Sequence, residues 1–599
     1  METRKNWFTY IYLTIFVICL SYSLFSATLN IGVGVKYPFI WYGGMLGAMG
    51  GLWLVLSTSA TIASRFSRWR IKPVSRRVAL YLEAFALISI IAAAALLRLW
   101  VLSNLPVKPE SDYLTFYNIA ELLSKGKLVS DGASYCDYIS QFPHVIGFPY
   151  ILSLVFRVFG VSVSTALYFN LAVSLISIFF VHRIARLLAG KAGGILAAAI
   201  AAFWPSQILY INQIASEPVF MCLSLGCIWM TAVLFKAPAV EKSWKILVLN
   251  IALGILLAIA GGVRPVSIIL LIAIIICSVT YKARLSESDE AGLIKSCMSR
   301  GWIRLLVILA GYMACSMLIT TATAKAIDRE LPGTTASFGY NLMVGLNIDA
   351  KGSWNEEDSN FLIDKFAETR SAEETHVACR TEALKRLEQN PAGIANLIFY
   401  KYALLWEDDD YFWNPTFFQQ DDPAKNEFIN NVTVWNNIYY TVFVYLSLLA
   451  GIFLWYKKKV GTEHVLVLYF IGIALLHMVL ESQSRYHYNI LPVFAILASA
   501  GVVGIFRHHA DAKREAAAER IAMFVPDFKS EEQSLGNAAA IGEQKPSDEE
   551  LIEKEANEND NKFDLLEAIR QGHVTVTVTE AYLNRDDEKL KAEEKNSCL

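Results

Sequence analysis

Apolar runs of about 20 residues, the length that crosses a hydrocarbon core, recur along most of this chain and leave few choices for its fold. In lipid every backbone N–H and C=O must be satisfied internally, so runs of this length with few charges read as helices. Candidate spans are 7–31, 38–62, 79–103, 163–188, 192–212, 214–235, 245–262, 265–281, 303–323, 433–455, 462–480 and 488–506. The chain is expected to be an all-α polytopic membrane protein, a helical bundle of about twelve spans, and its 55% hydrophobic content agrees. The first run follows Arg4 and Lys5 and lacks a small-residue cleavage site, so it reads as a retained helix.

Charge distribution sets the topology, because short connectors rich in Lys and Arg stay cytoplasmic. Arg65, Arg68, Arg70, Lys72, Arg76 and Arg77 lie between the second and third runs, so the third helix is expected to exit outward. Segment 144–160 is ambiguous. Counted as a span, it would place His182, Arg183, Arg186 and Lys191 outside, along with the basic stretch 282–304. Read as re-entrant or juxtamembrane, it puts both clusters inside, together with Lys457, Lys458 and Lys459; it is short and carries Pro149, which favours this second reading. The expected result is a plasma-membrane protein with cytoplasmic N- and C-termini and large outer loops at 104–162 and 324–432. Residues 1–78 supply two N-terminal helices and a basic linker, and 79–506 the main membrane domain. Residues 507–599 form an acidic tail of disorder-prone composition, with short helices expected near 512–523 and 549–570.

On this map the conspicuous polar residues fall at the outer ends of helices. Glu110 and Asp112 lie in KPESDYLTFY after the third run, Glu217 opens the sixth, Arg264 sits in GGVRPVS, and Arg485 with His487 lies in ESQSRYHYNILP. Carboxylates near lipid are expensive to hold and are often functional. The guanidinium fork of Arg suits phosphate, and an ionised Asp beside such a site can take a proton from an attacking hydroxyl or amine. Plainer readings stand beside these: a solvated acid at a helix end, a helix-capping Glu217, and arginines that snorkel to the interface.

Other features point to less. The run Glu407, Asp408, Asp409, Asp410 reads most simply as a solvated face, since hard-metal sites need ligands converging from defined positions. Neither HExxH nor Cys-x-x-Cys spacing occurs, and no metal site or cofactor is expected, although a divalent ion remains compatible with the chemistry. The absence of a GxxxxGK[ST] or GxGxxG pattern argues against nucleotide hydrolysis. Cys136 and Cys379, one in each large outer loop, are candidates for a disulfide in an oxidising compartment.

The order of these segments resembles the GT-C glycosyltransferases, in the branch of the protein mannosyltransferases (glycosyltransferase family 39) and the lipid A aminoarabinose transferases. The resemblance covers 79 to about 506 and is carried by ESDYLTFYNIAELLSKG, HVIGFPYILSLVFRVFG, the SEP at Ser216 to Pro218, GGVRP and SRYHYNILP. GYNLMVGLNIDAKGSWN and LIFYKYALLWEDDD are similar to the large outer loop of bacterial members. It implies a polyprenyl-phosphate sugar donor, inverting transfer on the extracytoplasmic face, and Asp112 as general base. Glu110, Glu217, Arg264, Arg485, Tyr486 and His487 are the implied donor-pocket residues. The first loop departs from many relatives in reading Ser-Asp where they carry two acids. The partners implied are the lipid-linked donor, membrane lipid and an acceptor that is protein, lipid or glycan, with no nucleic acid. A twelve-helix secondary transporter and an outer-face polymerase or ligase of lipid-linked glycans are the alternative classes. Transporters place ionisable groups near the bilayer midplane, whereas these lie at helix ends.

Overall fold

A computed structural model describes residues 7–32, 44, 47–59, 75–236, 243–280, 301–333, 338–411, 420, 422–457, 461 and 463–506. The expected tail helices and most of the basic linker lie outside the described residues, and the expected span 38–62 lies partly outside them. Met1–Leu56 and Lys72–Gly504 form one compact unit, which carries the helical bundle.

Every regular element among the described residues is helical. The longer helices are α1 (Trp7–Gly32), α2 (Arg76–Asn104), α3 (Ser111–Lys125), α4 (Ala133–Gln141), α5 (Gly147–Phe159), α6 (Val163–Ala202), α7 (Glu217–Lys236), α8 (Ser243–Val263), α9 (Ser267–Thr280) and α10 (Gly301–Ile327). After them come α11 (Gly339–Gly345), α12 (Glu356–Thr369), α13 (Ala372–Gln389), α14 (Pro391–Trp406), α15 (Pro423–Lys457), α16 (Glu463–Val479) and α17 (Ser484–Phe506), the last opening as a 3-10 turn over Ser484–Ile490.

Eight helices among the described residues are long and apolar enough to cross a membrane: α1, α2, α6, α7, α8, α10, α15 and α17. The expected spans 265–281 and 462–480 appear as the shorter apolar helices α9 and α16. Runs 163–188 and 192–212 join in α6, broken at Gly190, whose φ of 78° is open to glycine at little cost. The second run leaves helical form at Ala202 and continues through Pro205–Leu209 and a 3-10 turn at Tyr210–Asn212. At the other end of the chain, α15 begins ten residues before the expected 433, which shortens the second outer loop.

The break at Gly190 lies beside a polar cluster. Glu83, near the start of α2, is buried and pairs with Arg186, with His182 Nε2 at 3.3 Å and with Lys191 at 4.0 Å. The basic residues that charge bias set on one side therefore do meet the start of α2, at one end of the bundle. Near the other end of α2, the fully buried Arg98 donates to Ser174 Oγ at 2.8 Å and to the Ala202 carbonyl at 3.0 Å, which satisfies a buried carbonyl at the end of α6.

Segment 144–160 forms a 3-10 turn and α5. Pro149 sits in the first turn of α5, where a missing N–H costs no helical bond, so it does not break the segment as the sequence suggested. With 13 residues α5 is about 20 Å long, too short to cross. Phe148, Leu152 and Phe156 are buried against α3 and α6, while Tyr150, Leu154, Val158 and Phe159 are exposed on its other face. Its first residue approaches α8 so closely that a Cβ on Gly147 would run into the Gly262 carbonyl.

The helices α11 to α14 form one packed group within the second large loop. Buried Asp358 holds it together by accepting from Arg386 Nη2 at 2.6 Å, Asn347 Nδ2 at 3.0 Å and Asn355 Nδ2 at 2.8 Å. It is strapped to the end of α16: Glu481 N donates to Asn341 O, Ser482 N to Gly352 O, and Lys401 Nζ to Gly345 O at 2.7 Å and Val479 O at 3.0 Å. Burial pushes the Lys401 ammonium down to about 7. The N-terminal α1 meets three later parts of the chain: Tyr12 reaches His464 of α16 (2.5 Å), Ser23 reaches Tyr402 of α14 (2.8 Å), and Asn30 reaches Asp408 just after α14 (3.1 Å).

The backbone contact between α5 and α8 predicts that Gly147→Ala destabilises the protein by about 1–3 kcal/mol, the range for overpacking. Thermal unfolding in detergent measures it, and an unchanged Tm would show that the approach is not maintained.

Candidate active site

The site is assembled from four chain breaks at one end of the bundle. Pro265 cannot continue α8, because it lacks an N–H and disfavours helical geometry in the residue before it, so the chain turns at Arg264. Glu217 is the first residue of α7, where the helix dipole favours a negative charge. Asp112 lies in the first turn of α3, directly after Ser111, which adopts a left-handed φ of 51°. Such a conformation is strained for a non-glycine residue and tends to occur at functional positions. Arg485 and Tyr486 project from the 3-10 turn that opens α17.

These breaks converge. Arg264 Nη1 lies 2.6 Å from Glu217 Oε1 and also reaches Ser216 Oγ at 3.4 Å. Arg485 Nη2 lies 3.4 Å from Asp112 Oδ2. Tyr486 stands by both guanidinium groups, with its ring centroid 5.7 Å from Arg264 and 5.5 Å from Arg485, within cation–π range. His477 stacks on the same ring at 4.8 Å. Behind them Tyr113 and Tyr210 bring their hydroxyls to 3.2 Å.

The two acids differ in access. The Glu217 side chain is 5% exposed and committed to Arg264, whereas that of Asp112 is 47% exposed and open to an incoming group. Arg485 keeps a buried Nε–H without a hydrogen-bond partner among the described residues. A buried unsatisfied donor is costly and marks where an acceptor belongs. The arrangement can bind an anion between two guanidinium groups and present one accessible carboxylate beside it.

Of the sequence candidates, the structure brings together Asp112, Glu217, Arg264, Arg485 and Tyr486. Glu110 is exposed at the cap position of α3 without a side-chain cap bond. His487 is not at the surface of the site: its ring is fully buried, turned to Leu405 O (2.6 Å) and Asp409 Oδ1 (3.1 Å). The solvated reading of the acid run is overturned by the same contact, since Asp409 is fully buried and accepts from Trp204 Nε1 at 2.7 Å and Ser206 Oγ at 2.8 Å. Cys136 and Cys379 are both free and buried in separate clusters, so the disulfide is not formed.

Glu481 is a residue that sequence reasoning missed. Burial pushes its carboxyl above the usual range; Arg485 opposes the rise and Asp112 adds to it. Its signal was its place in ESQSRYHYNILP, four residues before Arg485. Among the described residues no group of three or more His, Cys, Asp or Glu could hold a metal ion.

Fold and site together define an all-helical membrane protein with paired carboxylates and guanidinium groups gathered at one end. Residues 143–290, which is 148 of 599, match the family model of dolichyl-phosphate-mannose-protein mannosyltransferases, and this supports the resemblance to GT-C glycosyltransferases of the protein mannosyltransferase type. The matched stretch contains Glu217 and Arg264 but neither Asp112 nor Arg485. No curated protein matches the chain.

Similar solved structures include the archaeal oligosaccharyltransferase AglB from Archaeoglobus fulgidus, in complex with an inhibitory peptide and a dolichol-phosphate. It is 11% identical, with 77% of this chain and 52% of that one covered and a TM-score of 0.36. ArnT from Cupriavidus metallidurans, bound to undecaprenyl phosphate, is 12% identical, with 73% and 80% covered and a TM-score of 0.28. The chain spans about half the length of the oligosaccharyltransferase. At these scores the functional reading rests on the site itself.

The Arg264–Glu217 pair predicts that Arg264→Ala destabilises the protein by about 3–5 kcal/mol, because it strands a buried carboxylate. Adding Glu217→Gln should recover part of the loss in thermal unfolding. A double variant no more stable than Arg264→Ala would contradict the pairing.

Proposed function

We propose that this chain is a membrane glycosyltransferase that moves a sugar from a polyprenyl-phosphate donor to an acceptor on the extracytoplasmic face, inverting the anomeric centre. The observation that carries the reading is the gathering of Arg264, Arg485 and the accessible Asp112 about Tyr486. The family model matched over 143–290 is named for a donor of the same class, a sugar on a lipid phosphate.

In this reading the acceptor oxygen attacks the anomeric carbon while its proton passes to Asp112. The bond from that carbon to the phosphate oxygen breaks, and the charge left on phosphate is taken by Arg485 and Arg264. Positive groups already in place where charge develops stabilise the transition state without reorganisation. Glu217 keeps Arg264 oriented and does not itself act as a base, since its oxygen is occupied. The half-exposed Asp112 is the carboxylate an acceptor can reach.

The placement of charge supports the sidedness. Arg186 and Lys191 gather with Glu83 near the start of α2, at the end of that helix remote from Asp112, and basic residues at a span's end favour the cytoplasmic side. The site then faces outward, with the N- and C-termini cytoplasmic in a plasma membrane. The straps from α11 and α14 to the end of α16 join helices α11 to α14 to the segment that leads into Arg485; in this reading those helices limit water at the site and with it hydrolysis of the donor.

Purified protein supplied with a radiolabelled polyprenyl-phosphate sugar tests this directly. Asp112→Asn should lower turnover about 10²- to 10⁴-fold with donor affinity kept, as loss of a general base does. Arg485→Ala should instead weaken donor binding about 10- to 100-fold, the cost of one charge-assisted contact. No transfer, together with an Asp112→Asn protein that behaves as wild type in cells, would sink the reading.

A further inference from the structure

We infer that Asp409 and His487 are positioning residues, a buried pair that fixes the turn carrying Arg485 and Tyr486 and so acts on the site through them. The inference rests on the proposed role of Arg485 as a phosphate ligand.

Both side chains are fully buried, with His487 Nε2 3.1 Å from Asp409 Oδ1. His487 Nδ1 lies 2.6 Å from the Leu405 carbonyl, which can only accept, so Nδ1 carries a proton. The contact at Nε2 then holds one proton between the ring and the carboxyl group. On the other carboxylate oxygen three donors converge: Trp204 Nε1 at 2.7 Å, Ser206 Oγ at 2.8 Å and Asn436 Nδ2 at 3.3 Å. The imidazole ring is sandwiched between Trp406 and Tyr440, each stacked at 5.5 Å and 12°.

Every direction in which His487 could move is thus closed, by elements distant in sequence. The last turn of α14 supplies Leu405 and Trp406 and the loop after it Asp409, the segment after α6 supplies Trp204 and Ser206, and α15 supplies Asn436 and Tyr440. His487 stands two residues after Arg485 in the same 3-10 turn, where about three residues complete a circuit. Its side chain is anchored in the bundle while Arg485 and Tyr486 project into the site. Apolar side chains of similar volume would pack here without the cost of burying charge, but they would not fix the direction of the turn.

The test measures binding of undecaprenyl phosphate to full-length protein in detergent. His487→Ala should weaken binding about tenfold, and His487→Ala combined with Arg485→Ala should bind no more weakly than Arg485→Ala alone, because one residue acts through the other. Asp409→Asn keeps an acceptor for Trp204 and Ser206 and offers an N–H to His487, so it should recover most of the affinity lost in Asp409→Ala. Additive losses in the double variant, or unchanged binding in His487→Ala, would overturn the inference. A second readout needs no ligand: maleimide labelling of Ser484→Cys, followed by mass spectrometry, should speed up about tenfold when His487→Ala frees the turn. If wild-type protein does not bind the lipid, the proposed function fails and the labelling rate alone decides; an unchanged rate overturns the positioning role.

Discussion

The contact on which most of the site depends is the ion pair of Arg264 and Glu217. A guanidinium and a carboxylate withdrawn from water at the edge of a low-dielectric bundle are stable only as partners, and here they meet at 2.6 Å with little exposure of either side chain. The pair ties the first turn of α7 to the break after α8. That break leaves Gly262 at the end of α8 where Gly147 meets it, so α5 takes its seat from the same place. Tyr486, held between Arg264 and Arg485, extends the arrangement to the last helix. Four segments far apart in the chain are thereby set around one point.

The two carboxylates at that point illustrate how environment separates roles. Glu217 is enclosed and its partner is close and short; Asp112 is half exposed and its partner stands off at 3.4 Å. In the proposed mechanism these chemically alike groups divide into one that orients and one that takes the proton, as in sites where neighbouring acids perform different tasks.

Much of this was legible in the sequence. Helical spans follow from the length of apolar runs, and Asp112, Glu217, Arg264 and Arg485 stood out because charge at the end of such a run is conspicuous, while Tyr486 entered only through the family resemblance. Boundaries were less so: composition does not reveal that helix resumes at once beyond the break at Gly190, among basic residues, or that α15 begins in the polar stretch from Pro423. Asp409 was misread because four consecutive acids look solvated, whereas its burial depends on Trp204, Ser206 and Asn436, which come from elsewhere in the chain. His487 was misplaced for the converse reason, as its neighbours in sequence face the site and its own ring does not. Cys136 and Cys379 share an expected compartment, yet each is packed in its own apolar cluster, and a shared compartment says nothing about distance.

The short helix α5 bears on more than topology. It is apolar on the face packed against α3 and apolar again at Tyr150, Leu154, Val158 and Phe159, and it is too short to reach across. α3 carries Asp112 and the end of α8 carries Arg264, and both pack on α5, so any tilt or shift of that short apolar helix is passed to two segments of the site together.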